Sequence, residues 1–114
     1  MPHHLHSTCP IASVLDIIGD KWTLLVIRDL ALGKQHFSEL QQSPERIATN
    51  ILSNRLTRLQ ESELIERFPS PVYSGKEAYR LTSKGKTLKP ILKSLALWGL
   101  KNIEGTRLPD DVSL

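Results

Sequence analysis

The chain has 114 residues, 39% of them hydrophobic and 24% charged. That balance suits one globular domain able to bury about two thirds of its unfolded surface, and it excludes disordered and collagen-like chains. No apolar run approaches the roughly 18 residues of a membrane span, and the formal net charge is +3.

The charge is unevenly placed. Residues 1–45 carry three basic against five acidic side chains, residues 46–93 ten against four, and residues 94–114 two against three. A polyanion would meet the middle segment, although charge alone fits a solvated face equally well.

Cys9-Pro10-Ile11 opens an apolar pattern at Ile11, Val14, Leu15 and Ile18, which predicts a short amphipathic helix ending at Gly19. Asp20 is placed to cap the next segment. Lys21 to Leu32 is apolar nearly all round, as expected of a buried central helix stopped by Gly33. Phe37 to Gln42 reads as a brief helix broken by Ser43-Pro44. The next helix, from about Ala48 to Glu61, turns Ala48, Leu52, Leu56 and Leu59 toward the core and Asn50, Ser53, Asn54 and Thr57 away from it. Thr49, Arg55 and Arg58 flank that polar face, and no acidic residue falls between Arg46 and Gln60. Short amides and hydroxyls bordered by arginine are the side chains that reach base edges and phosphates in a major groove.

Leu64 to Phe68 alternates as a strand, Ser74-Gly75-Lys76 is a turn, and Glu77 to Leu81 alternates again, which predicts a β-hairpin with Lys76 at its tip. Arg67 and Arg80 lie on its strands, able either to reach phosphates or to pair with Glu66 or Glu77. Thr82 or Ser83 then caps a last helix with apolar positions Leu88, Ile91, Leu92, Leu95 and Trp98, bent at Pro90. Helices, polar helix, hairpin and helix follow in the order of a winged helix-turn-helix: mainly α, with a three-helix core, a small β-hairpin wing and extra helices at both ends. One domain over residues 9–104 is expected, between a flexible start (1–8) and a loose tail (105–114).

In combination, Cys9-Pro10, Gly19-Asp20-Lys21-Trp22-Thr23-Leu24-Leu25, Phe37-Ser38-Glu39-Leu40, Leu52-Ser53-Asn54-Arg55-Leu56 and Tyr79-Arg80-Leu81-Thr82-Ser83-Lys84-Gly85 with Trp98 behind it resemble the HxlR-type, MarR-like family of bacterial winged helix-turn-helix transcription regulators. The resemblance runs from Cys9 to about Trp98. It implies a homodimer, formed through the first and last helices, on double-stranded DNA. It also implies that Cys9 matches a cysteine through which several relatives sense thiol-reactive compounds. Two positions depart from the pattern. Ala48 stands where serine or threonine usually caps the recognition helix, leaving its N-terminal backbone donors to Thr49 or a DNA phosphate. Glu63 replaces a common glycine, which suggests a differently closed turn into the hairpin.

Cys9 before Pro10 at a helix start, with His6 nearby, is a reasonable place for a reactive thiol, or for a cysteine packing as a small apolar residue. The single cysteine excludes an intramolecular disulfide, leaving an intersubunit Cys9 bridge, a mixed disulfide or a sulfenic acid as oxidation products. His3, His4, His6 and Cys9 are too irregularly spaced for a metal site, and His36 is expected at the surface or as a cap. No cofactor loop, catalytic triad or secretory signal is visible, so an enzyme is not expected and a cytoplasmic location is. The resulting expectation is a DNA-binding regulator acting as a homodimer on a pseudo-palindromic operator. Thr49, Asn50, Ser53, Asn54 and Thr57 would lie in the groove, Arg46, Arg55, Arg58 and Lys76 on the backbone, and Cys9 would be a possible redox sensor. The alternative is a winged-helix module docking on an acidic protein partner. Any small-molecule effector is left open.

Overall fold

A computed structural model describes residues 8–109 and 112. The expected flexible start, the reading of His3, His4 and His6, and part of the expected tail lie outside the described residues. In chain order the elements are α1 (Pro10–Ile18), α2 (Lys21–Ala31), α3 (Phe37–Gln41), α4 (Thr49–Glu61), β1 (Ile65–Pro69), β2 (Glu77–Leu81), α5 (Ser83–Lys86) and α6 (Lys89–Asn102).

α2 is the centre. Its Val26, Ile27 and Leu30 are buried, and around them close Leu40 of α3, Leu52, Leu56 and Leu59 of α4, and Ile47, Leu64, Ile65 and Leu81. Asp20 starts α2 as expected, accepting a hydrogen bond from the Trp22 backbone N–H at 3.1 Å and another from the Thr23 hydroxyl. The chain leaves through Gly33, whose φ of 101° belongs to the left-handed region that glycine reaches without strain.

The hairpin pairs β1 and β2 antiparallel, with Ile65 opposite Leu81 and Phe68 opposite Ala78. The Tyr79 N–H donates to the Gln35 carbonyl at 2.8 Å, tying β2 to the segment between α2 and α3. The wing is therefore held at the middle of β2.

Three details differ from the sequence reading. The last helix is not one bent rod but two. Thr82 caps α5 by accepting from the Gly85 N–H at 3.0 Å, and Pro90 falls in the first turn of α6, where its missing donor is harmless. Ala48 is exposed at the head of α4 rather than part of the core stripe, which Leu52, Leu56 and Leu59 form without it. Glu63, expected to close a different turn, instead takes φ 60°, the left-handed geometry of the missing glycine. The Leu64 N–H reaches the Leu59 carbonyl at 2.9 Å, and the helix end closes in the usual way.

Candidate nucleic-acid interface

With Leu52, Leu56 and Leu59 anchored, the helical period turns Thr49, Asn50, Ser53, Asn54, Thr57 and Arg58 outward, and all six are exposed. α4 has no side-chain N-cap: the Thr49 hydroxyl accepts from Gln41 Nε2 at 2.9 Å, linking α3 to α4. The first backbone donors of α4 stay available to an anion, on the exposed end of a 13-residue helix. Thr57 folds its hydroxyl back onto the Ser53 carbonyl at 3.1 Å.

The turn ahead of α4 is clamped from α2. Arg28 donates to both oxygens of Glu45, at 2.7 and 3.0 Å, and to Asp29 and Ser43. The Arg28 hydrogen bonds, outweighing partial burial, hold the Glu45 carboxyl at about 2. Arg46 follows at φ 55°, exposed and without an ion pair among the described residues.

Arg55 is placed differently from Arg46 and Arg58. Its Nε donates to Asp20 Oδ2 at 2.7 Å and its Nη1 to Asn54 Oδ1 at 2.6 Å, and its side chain is 18% exposed. Burial opposes ionisation of Asp20, but the hydrogen bonds from Thr23, Arg55 and the Trp22 amide prevail and hold its carboxyl at about 2. Asp20 lies 35 residues away in sequence, and no local spacing signals the pair.

Beside α4 the hairpin adds basic groups of two kinds. Arg80 pairs with Glu66 at 2.7 Å and covers the Phe68 ring, one of the outcomes left open by its strand position. Arg67 and Lys76 are exposed and make no ion pair among the described residues. Arg67 borders a cleft of about 440 Å³ between α4 and the hairpin, with Ser53, Thr57, Gln60, Phe37 and Tyr79 around it. His36 is the N-cap residue of α3, one of the two places expected for it, and it is buried rather than at the surface. Its Nδ1 meets Glu39 and its Nε2 meets Ser70, each at 2.7 Å, so it joins the start of α3 to the loop between β1 and β2. Sequence reading missed this contact. Cys9 stands exposed at the head of α1. Among the described residues no helix is long and apolar enough to cross a membrane.

A two-helix unit with an outward polar helix, flanked by an antiparallel hairpin, defines a winged helix-turn-helix. The family described as HxlR-like helix-turn-helix matches residues 17–107, and the chain belongs to it. An HTH-type transcriptional regulator of Methanothermobacter thermautotrophicus, itself uncharacterized, is 37% identical over 91 residues, covering 80% of this chain and 70% of the relative. Among solved structures, PA1607, a candidate transcription factor, shares 37% identity at a TM-score of 0.80, covering 97% of this chain and 75% of its own. The redox regulator HypR in its oxidized form shares 31% identity at a TM-score of 0.73, covering 82% and 97%. The family and these relatives are transcription regulators, not enzymes.

Proposed function

We propose that the chain is a sequence-specific DNA-binding transcription regulator that acts in the cytoplasm as a homodimer on a pseudo-palindromic operator. The observation that carries this reading is the outward face of α4: Thr49, Asn50, Ser53, Asn54 and Thr57 exposed together, with no acidic residue between Arg46 and Gln60. These side chains enter the major groove. Arg46 and Arg58 lie on phosphates beside it, and Lys76 and Arg67 on the flanking backbone from the wing. A module docking on an acidic protein is not favoured, because α4 exposes no large apolar or aromatic anchor.

The dimer is formed by α1 and α6. Ile11, Val14 and Leu15 on the first, and Ile91, Leu95 and Trp98 on the second, are exposed, although their helical spacing is that of buried faces. Cys9, exposed at the head of α1, is the thiol through which the chain would respond to oxidants, a reading supported by its likeness to HypR, named a redox regulator.

The test is fluorescence anisotropy of the reduced protein on labelled duplex from upstream of its own gene, titrated with excess random DNA. Saturable binding that survives the competitor is expected. Arg58→Ala should weaken binding across all sequences and lower the slope of log affinity against log salt by about one. Equal loss of binding to any competitor DNA would contradict sequence-specific recognition.

A further inference from the structure

The side chains that hold α4 in place also fix how one of its exposed amides faces outward. Arg55 donates from Nη1 to Asn54 Oδ1 at 2.6 Å while its Nε is committed to Asp20. A guanidinium carries only donors, so the Asn54 atom that meets it must be the carbonyl oxygen, and the orientation of the amide follows from chemistry. Arg55 has little freedom to leave. Its partner Asp20 caps α2, held by the Trp22 N–H and the Thr23 hydroxyl. The Nδ2 group of Asn54, with two N–H donors, has no partner among the described residues, and Asn54 is exposed.

We propose that Arg55 is a positioning residue for base specificity, an inference that rests on α4 being the recognition helix. By engaging Oδ1, Arg55 makes Asn54 present donors to the groove, and Asn54 reads guanine rather than adenine. The usual pairing of asparagine with adenine needs Oδ1 to accept from the N6 amino group while Nδ2 donates to N7. With one lone pair of Oδ1 held by the Arg55 cation, only the other is left to accept from the adenine amino group, whereas both donors of Nδ2 stay open. Guanine offers two acceptors side by side, O6 and N7, and an outward N–H of Nδ2 can donate to either. Cytosine presents an amino donor, and thymine a single acceptor beside its methyl group. Arg55 acts through Asn54 and neutralises no phosphate.

The test is competition binding of the full chain against operator duplexes in which each base pair is replaced in turn. Asn54→Ala identifies the pair in question as the one whose preference flattens. At that pair the wild type is expected to favour guanine over adenine by at least about fivefold. Arg55→Met, which releases Oδ1, is expected to move the preference toward adenine at that pair alone, with the salt slope unchanged. If Arg55→Met does not fold, Asn54→Asp serves instead: its outward oxygens only accept, and the guanine preference is expected to vanish. A wild-type preference for adenine would overturn the inference, as would a guanine preference that survives either substitution, or a salt slope reduced in Arg55→Met. Loss of preference at every pair in the wild type would be a separate failure, that of α4 as the reading helix.

Discussion

At the scale of single residues, two positions carry opposite kinds of constraint around the end of α4. Glu63 sits at φ 60°, where a side chain crowds its own backbone and costs roughly 1 kcal/mol or more relative to glycine. Glycine loses more entropy on folding, so Glu63→Gly is expected to stabilise the fold by up to about 1 kcal/mol, read as a rise in the thermal midpoint. A fall would mean that the Glu63 side chain contributes more than its strain removes. Gly85 is constrained in the other direction, since a Cβ there would lie 2.0 Å from the Leu64 carbonyl oxygen. Gly85→Ala should therefore force α5 away from the strand entry and destabilise by about 1–3 kcal/mol in a denaturant titration. The glycine that is absent and the glycine that is present flank the same short segment. The first was visible as a departure from a family pattern; the reason for the second required the packed structure, because no sequence spacing places Gly85 over Leu64.

At the scale of elements, α4 is positioned by contacts that reach across the chain. The apolar period predicted its buried stripe, and Leu52, Leu56 and Leu59 occupy it. The polar supports were not legible. Arg55 meets Asp20 from 35 residues away, His36 meets Ser70 from 34, and Arg28 meets Glu45 from 17, all distances at which side-chain pairing leaves no periodic trace. Local reading sees only neighbours: it offered His36 as a cap, which it is, but not its reach to Ser70, and it placed Arg55 on the flank of the polar face without its partner Asp20. Two of these supports titrate. The Asp20 and Glu45 carboxyls, ordinarily at 3.8 and 4.5, each stand at about 2 in the fold. A carboxyl held lower in the folded chain than in the unfolded one favours folding above its unfolded value, and loses that contribution as the pH falls toward the folded one. Stability measured by urea unfolding is therefore expected to be flat in this respect above about pH 5.5 and to decline between about pH 5 and 2. In the double variant Asp20→Asn, Glu45→Gln that decline should be shallower. An unchanged acid profile would show that neither clamp contributes to stability.

At the scale of the whole molecule, the chain is more spread than one domain of its length. Its radius of gyration is 14.9 Å, against about 13 Å for a compact 114-residue domain. α6 has no buried residue and α1 only Ile18. The sequence showed apolar positions at helical spacing in both helices, but a period does not say whether the partner is the same chain or another copy. In the proposed dimer the exposed Ile11, at 71%, and Trp98, at 63%, are covered by the other copy. Trp98→Glu should accordingly shift the protein toward monomer in light scattering after gel filtration, and weaken operator binding while leaving the circular dichroism spectrum of the winged helix intact. A Trp98→Glu protein that stays dimeric would place the interface elsewhere.

The most direct test of the central claim is a nuclease footprint of the reduced protein on the region upstream of its own gene. Two recognition helices related by a twofold axis predict two protected half-sites of inverted sequence, their centres about 10 base pairs or a multiple of that apart. Both should be lost together in Trp98→Glu, and Asn54→Ala should change which half-site sequences are protected. Protection of a single site, or uniform protection at every sequence, would contradict a dimer that reads DNA through α4.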